Sequence, residues 1–80
     1  MNKAMARHYL KKAGWVEAEM LLAERVLRHN GSRGIRPLST LKTFAEGRTE
    51  ATERAAWARL IERIEGDAQQ EEALGALLSL

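Results

Sequence analysis

The sequence contains no cysteine and has little proline, aspartate or aromatic residue. Its 80 residues include one Pro, two Trp, one Tyr and one Phe, and Asp67 is its only aspartate. Without cysteine, disulfide bonds and cysteine-based zinc sites are excluded. No apolar run approaches the ~18 residues of a membrane-spanning helix, so we expect no membrane association. The composition, 45% hydrophobic and 30% charged, is typical of a folded chain. The length predicts one small helical domain over residues 1–80.

The remaining residues predict helices almost throughout the chain. No stretch alternates apolar and polar side chains for long enough to indicate a strand. The predicted fold is therefore all-α, a compact bundle of four to five short helices. A helix-turn-helix-like arrangement is one form of such a bundle. The predicted helices span about 3–13, 15–29, 38–46, 52–65 and 67 onward. The residues that mark their starts and ends are Asn2, Gly14, Asn30-Gly31, Pro37 or Ser39, Gly47, Gly66 and Asp67.

The spacing of apolar residues predicts which helix faces are buried. Helix two carries a broad apolar stripe, widened by Trp15, Leu22 and Val26, which favours it as the central helix. On helix one, Met5 and Tyr9 are predicted to share a side, which Leu10 and Ala13 extend. Asp67 to Gln70 resembles a capping box at the start of helix five. The predicted core residues are Val16, Met20, Ala23, Leu27, Leu41, Phe44, Trp57, Leu60, Ile61 and Ile64.

Charge is unevenly distributed along the chain. Residues 1–48 contain ten Lys/Arg and four Glu, a balance of +6, whereas residues 49–80 contain three Arg and seven acidic residues, a balance of −4. One interpretation is a basic face offered to an acidic partner, with the acidic end facing elsewhere. The other is that the basic and acidic segments fold onto each other.

The pattern of reactive side chains argues against an enzyme. His8 and His29 lie on different predicted helices, and a metal site needs three or four convergent ligands. The serines lack the surroundings of an activated nucleophile. We therefore expect no catalytic residue, no metal and no cofactor. The basic stretch Met1–Gly14 lacks the apolar core of a secretory signal, so a cytoplasmic location is expected.

A basic segment in the middle of the chain points to binding. Residues 25–48 contain six Lys/Arg and one acid, Glu46, a balance of +5. A basic loop that leads into a short helix suits phosphate groups, because cationic side chains, loop amides and a helix N-terminus all favour an anion.

Residues Ser39 to Arg48 resemble the recognition helix of phage-repressor-type (Cro-like) helix-turn-helix proteins. That family often shows Ser-Thr-Ile/Leu, two polar residues, a large apolar residue, two polar residues and then Gly-Lys/Arg. The resemblance implies that Leu41 and Phe44 belong to the core and that Thr40, Lys42 and Thr43 meet DNA. Together with the basic segment, the candidate DNA-binding residues are Arg33, Arg36, Ser39, Thr40, Lys42, Thr43 and Arg48.

Two registers stay open within this resemblance. The family places a short scaffold helix directly before the turn, whereas the corresponding positions here are His29, Asn30, Gly31 and Ser32. Alternatively, Thr40–Gly47 is the scaffold helix and helix four is the recognition helix. That register directs Glu50 and Glu53 toward DNA.

The C-terminal leucines are candidates for docking on the core or for self-association as a homodimer. They are Leu74, Leu77, Leu78 and Leu80. The predicted function is that of a small DNA-binding transcriptional regulator with duplex DNA as its partner. The alternative is a small phage or mobile-element protein that binds and inhibits or adapts a larger protein complex, with Trp15 or Leu78 as an exposed anchor. RNA binding and a purely structural role are further alternatives.

Overall fold

The computed structural model describes residues 1–30 and 36–78, and they form five helices without a strand. In chain order the helices are α1 (Lys3–Lys12), α2 (Glu17–His29), α3 (Pro37–Glu46), α4 (Ala51–Glu65) and α5 (Ala68–Ala76). The all-α prediction is confirmed, and the predicted helix bounds are correct to within one or two residues for α1 to α4.

Local signals account for several helix starts. The side chain of Asn2 accepts a hydrogen bond of 2.9 Å from the backbone N–H of Met5, as an N-cap does. Pro37 occupies the first turn of α3, where its missing N–H costs nothing. The N-cap of α3 is Arg36 rather than Ser39, with a left-handed backbone at φ 53° and ψ 52°. Few non-glycine residues adopt this conformation.

The turn between α1 and α2 places Trp15 in the core. Gly14 has φ +103°, a conformation that glycine adopts without a steric penalty. The N–H of Gly14 donates to the carbonyl of Lys11 at 3.1 Å, and the N–H of Trp15 donates to that of Leu10 at 2.9 Å. These two bonds form a Schellman motif. Trp15 is therefore in the connection before α2, not in α2 as predicted, and it is buried at 2% exposure.

The short helix α5 lies at the centre of the fold, because it alone packs against all four other helices. The prediction that α2 is central is wrong: among the described residues α2 packs closely against α1, α3 and α5, and it meets α4 through the ion pair of Glu19 with Arg63. The buried hydrophobic residues form one cluster, which is composed of Ala6, Leu10, Trp15, Met20, Ala23, Val26, Leu27, Leu41, Trp57, Leu60, Ile61, Ile64, Ala73, Leu74 and Leu77.

Most of the predicted core is confirmed, but Val16 is not part of it, and two other side chains of the predicted stripes, Leu22 and Met5, are also exposed. Val16 is 58% exposed because it is the N-cap of α2 rather than a residue of its stripe. Leu22 is 44% exposed, and its neighbour Leu21 is 48% exposed. Met5 is also exposed, whereas Ala6 and Leu10 form the inner side of α1. Phe44 is partly buried and packs against the core.

Polar side chains join the end of α1 to the start of α5. The indole N–H of Trp15 donates to Gln70 Oε1 at 2.8 Å, and Gln70 Nε2 donates to Asp67 Oδ2 at 3.2 Å. The hydroxyl of Tyr9 donates to the same Asp67 oxygen at 3.1 Å. Asp67 also caps α5 by accepting from the N–H groups of Gln69 and Gln70. The predicted N-cap is confirmed, but the Gln70 side chain bonds to the Asp67 carboxylate and Trp15 rather than returning to the backbone.

Candidate nucleic-acid interface

Four of the predicted DNA-binding residues share one exposed face at the start and middle of α3. Arg36, Ser39, Lys42 and Thr43 follow helical spacing and are all exposed. They line one shallow groove together with Leu38, Glu46 and Glu71. We call these four residues the α3 strip. The structure therefore brings together two cations and two hydroxyl groups on one side of a single helix.

Thr40 does not share this arrangement. It is half-buried, and its hydroxyl donates to the backbone carbonyl of Arg36 at 3.1 Å. Its backbone N–H donates to the same carbonyl, also at 3.1 Å. The hydroxyl hydrogen of Thr40 is thus used within the first turn of α3.

Acidic side chains surround the α3 strip. Lys42 Nζ lies 2.8 Å from Glu65 Oε2 of α4, and both side chains are about half exposed. Glu71 Oε2 of α5 accepts a hydrogen bond of 3.4 Å from the backbone N–H of Leu38. A carboxylate therefore already contacts the N-terminus of α3, where the sequence suggested room for a phosphate.

Arg48 is held by an aromatic stack at the other end of α3. Its guanidinium carbon lies 4.2 Å from the centroid of the Phe44 ring, in a cation–π contact. The Phe44 ring packs edge-on against Trp57 with centroids 5.4 Å apart and an interplanar angle of 73°. The Nε of Arg48 is buried and has no hydrogen-bond partner among the described residues. The Arg48 side chain is therefore directed toward the core of the protein.

The other cations of the basic segment lie near the α2–α3 connection. Arg28 Nη2 contacts Glu24 Oε2 at 3.1 Å. Arg25 and Arg36 are exposed, and neither forms an ion pair within residues 1–30 and 36–78. The predicted contact Arg33 lies outside the described residues. Arg25 and Arg36 are thus two arginines that solvent reaches on either side of this connection.

The ion pairs bear on both interpretations of the charge pattern. In the described part of the chain, only Lys42–Glu65 joins a cation of residues 1–48 to an acid of residues 49–80. Lys3, Arg7 and Lys11 of α1 pair with acids of α2 instead. The two halves also meet through the ion pair of Arg63 with Glu19 and through Glu71 beside the α3 strip, so the acidic segment covers part of the basic one.

The connections between helices bear on the two registers of the helix-turn-helix resemblance. Residues 30–36 separate α2 from α3, whereas residues 47–50 separate α3 from α4. Helix-turn-helix units use turns of three to four residues, so the second connection has the typical length. That turn makes α4 the second helix, whose exposed residues include Glu53, Arg59 and Glu62. The length of the α3–α4 connection thus favours α4 as the recognition helix, whereas the exposed residues on α3 favour α3.

The C-terminal leucines mostly complete the core. Leu74 and Leu77 are fully buried within the chain, and Leu78 packs against the core while partly exposed. Leu74 and Leu77 therefore dock on the core and present no surface to a second copy. Leu78 remains a candidate for association, and Leu80 lies outside the described residues. Trp15, which we expected as an exposed anchor for a protein partner, is buried.

Two features of the structure were not predicted from the sequence: a set of polar contacts and an apolar surface. The contacts of Tyr9, Trp15, Asp67 and Gln70 join residues more than 50 positions apart, so no periodicity reveals them. The position of Trp15 directly after Gly14 was the available signal, because a Schellman motif often buries the residue after its glycine. The second feature is an apolar groove on the outer side of α1, lined by Met1, Met5 and Tyr9 among others.

The pKa shifts reflect these contacts. The hydrogen bond from Gln70 is the largest cause that holds the pKa of Asp67 below its ordinary value of 3.8, assisted by the bond from Tyr9. Burial raises the pKa of Tyr9 above 10.0, and the bond to Asp67 adds to this. Burial also acts to raise the pKa of Glu24, but the bonds from Lys3 and Arg28 together lower it below 4.5.

Within residues 1–30 and 36–78, no three His, Asp or Glu side chains are grouped so as to hold a metal ion. None of the helices in this part of the chain is long and apolar enough to cross a membrane. Comparisons of the chain with protein-family models, with curated proteins and with solved structures found no match.

Proposed function

We propose that this protein is a small DNA-binding regulator that contacts duplex DNA through the α3 strip. The observation that carries the proposal is the placement of Arg36, Ser39, Lys42 and Thr43 on one exposed helix face. Cations suit the phosphate backbone, whereas short hydroxyl side chains between them suit base edges. The Cro-like resemblance over Ser39 to Arg48 supports the same helix as the recognition element.

The proposed roles follow from exposure and pairing. Arg36 and Lys42 neutralise phosphates, and Ser39 and Thr43 face the base edges. Lys42 exchanges its ion pair with Glu65 for a phosphate, which costs little because exposed ion pairs contribute about 0–1 kcal/mol. Arg48 supports the position of α3 through Phe44 rather than contacting DNA.

The acidic neighbours limit the affinity that we expect. Glu46 and Glu71 line the same groove as the strip, and they repel phosphate groups. Binding should therefore be modest and sensitive to salt. The two cations of the strip predict a slope of log K against log salt of roughly −2, and each further cation that contacts a phosphate adds about −0.9.

The test is a binding titration on duplexes selected from a random-sequence pool, at several salt concentrations. Arg36→Ala should weaken binding to all sequences alike and flatten the slope by about 0.9. Thr43→Ala should relax the preference at one position and leave the slope unchanged. Lys12→Ala, which removes an exposed cation from α1, is the matched control and should change neither quantity.

A further variant separates the two registers. Arg59 is an exposed arginine on α4, and Arg59→Ala removes the same charge as Arg36→Ala. If Arg59→Ala flattens the slope and Arg36→Ala does not, α4 rather than α3 is the recognition helix. If the wild-type protein binds no duplex even at low salt, the DNA-binding proposal is wrong.

A further inference from the structure

The groove of the α3 strip also contains an acidic side chain. Glu46 is exposed and lines the same groove as Arg36, Ser39, Lys42 and Thr43. It follows Ser39 by seven residues, which is about two helical turns, so the two side chains leave α3 on the same side. Thr43 lies between them, about one turn before Glu46. Glu46 therefore continues the line of side chains that we assign to the base edges.

The carboxylate of Glu46 is not used to hold the fold together. It forms no ion pair in the part of the chain that the structure describes. Lys42 lies one turn before it on α3, but Lys42 Nζ contacts Glu65 Oε2 at 2.8 Å. Arg54 of α4 lines an adjoining groove together with Glu46, and no ion pair joins these two side chains. The carboxylate is thus accessible to a ligand that reaches the groove of the α3 strip.

The charge of Glu46 is unfavourable for two other properties of the protein. Glu46 is the last residue of α3, and a negative charge at a helix C-terminus opposes the helix dipole. The same charge repels phosphate groups and lowers the affinity for every duplex. Neither helix stability nor general affinity for DNA therefore explains a glutamate at this position. A hydrogen bond that its carboxylate accepts from a base does explain it.

The chemistry of a carboxylate selects one base. An ionised carboxylate only accepts hydrogen bonds, so it needs a donor without an acceptor beside it. In the major groove cytosine presents the donor N4–H2, whereas adenine places its N7 acceptor next to its N6–H2 donor. Guanine presents the acceptors O6 and N7, and thymine presents the acceptor O4. Cytosine is therefore the base that Glu46 matches.

We infer that Glu46 determines sequence specificity by accepting a hydrogen bond from the N4 amino group of a cytosine. This inference rests on the proposed contact of the α3 strip with duplex DNA. At 1.5 Å per residue, Ser39 and Glu46 lie about 10 Å apart along the helix axis, which corresponds to about three base steps of 3.4 Å. With α3 along the major groove, the cytosine lies about three base pairs from the base nearest Ser39.

The experiment compares the duplexes that the wild-type chain and its variants select from a random-sequence pool. We expect the wild-type protein to favour cytosine at one position by roughly tenfold over the other bases. Glutamine has both a donor and an acceptor, which match N7 and N6 of adenine, so Glu46→Gln should favour adenine at that position. Glu46→Ala should lose the preference there and keep the preferences at other positions.

Glu71→Gln is the matched control, because it removes the same charge from the same groove. The Glu71 carboxylate already accepts a hydrogen bond of 3.4 Å from the N–H of Leu38. Glu71→Gln should therefore raise the affinity for all duplexes alike and leave the preferred bases unchanged.

Two kinds of failure are distinguishable. The inference alone is overturned if the wild-type protein binds duplexes without preferring cytosine at any position. It is also overturned if Glu46→Gln raises affinity but keeps the same preferred bases, or if Glu71→Gln changes the preference in the same way. If the wild-type protein binds no duplex even at low salt, the inference and the proposed function are both wrong.

Discussion

The junction of α1 with α5 and the outer face of α3 use polar side chains in opposite ways. At the junction, Trp15, Gln70, Asp67 and Tyr9 bond to one another, and Gln70 is buried at 8% exposure. At α3, the side chains of Arg36, Ser39 and Thr43 are exposed.

This difference in burial separates the polar groups that stabilise the fold from those that are exposed to a ligand. A buried polar group that lacks a partner costs about 1–3 kcal/mol, so the polar groups of the junction stabilise the fold by bonding to one another. An exposed group has water as its partner and loses little when a ligand replaces that water. The contacts at the junction therefore stabilise the fold, and the α3 strip is the better candidate for binding.

The largest expected effect is a loss of stability on replacing Trp57, which packs against Phe44 of α3. Trp57 is 2% exposed and supports Phe44, on which Arg48 stacks. Trp57→Ala should lower the free energy of unfolding by about 3–5 kcal/mol, because it leaves a large cavity. Denaturant unfolding measures this loss. A melting temperature within a degree or two of wild type would show that α4 does not pack as described.

The next effect tests the junction directly. Gln70→Met keeps the size of the side chain but leaves the indole N–H of Trp15 without its acceptor. We expect a loss of about 1–3 kcal/mol in denaturant unfolding. Glu72→Met is the matched control, because Glu72 is exposed on the same helix and its substitution should cost about 0.5 kcal/mol or less. Equal effects of the two variants would contradict a structural role for the Trp15–Gln70 bond.

The pH dependence of unfolding should identify two members of the junction. Because the folded protein holds the pKa of Asp67 below 3.8, the stabilisation is present above that value and disappears as pH falls through the folded pKa. The raised pKa of Tyr9 contributes stability that is present below pH 10.0 and disappears as pH rises through the folded pKa.

Melting temperatures measured across pH check both contributions. Asp67→Asn should flatten the acid limb, and Tyr9→Phe should flatten the alkaline limb. Glu72→Gln changes an exposed acid on the same helix as the Asp67 cap and should leave both limbs unchanged. If Asp67→Asn leaves the acid limb as steep as in wild type, the Asp67 contacts do not stabilise the fold.

The smallest expected effect on stability comes from breaking the ion pair between Lys42 of α3 and Glu65 of α4. Glu65→Gln breaks the exposed ion pair with Lys42 and should change the free energy of unfolding by about 0–1 kcal/mol. The same variant should tighten DNA binding, because it releases Lys42 and removes a negative charge. Glu62→Gln removes an exposed acid from the same helix and serves as the control. A large loss of stability in Glu65→Gln would place Lys42 among the structural contacts instead.

Much of the fold could be predicted because its determinants are local. Asn2, Gly14, Pro37 and Asp67 mark helix boundaries through backbone chemistry within a few residues. The stripe that contains Trp57 is narrow and regular, so its burial followed from spacing alone. The candidate site was predicted only in part: the resemblance named Lys42 and Thr43 together with Thr40, whose hydroxyl bonds to the carbonyl of Arg36 instead.

Tertiary structure decided what covers each face and which charges meet. Periodicity predicted apolar stripes that include Val16, Met5 and Leu22, but the packing of the helices against one another determines which of these side chains are buried. Likewise, the contacts of Lys42 with Glu65, Arg48 with Phe44 and Glu71 with Leu38 join different helices or turns. The sequence by itself determined the helices and their polar faces, because those depend on neighbours along the chain. The partners of those faces depend on distances in space, which only the folded chain sets.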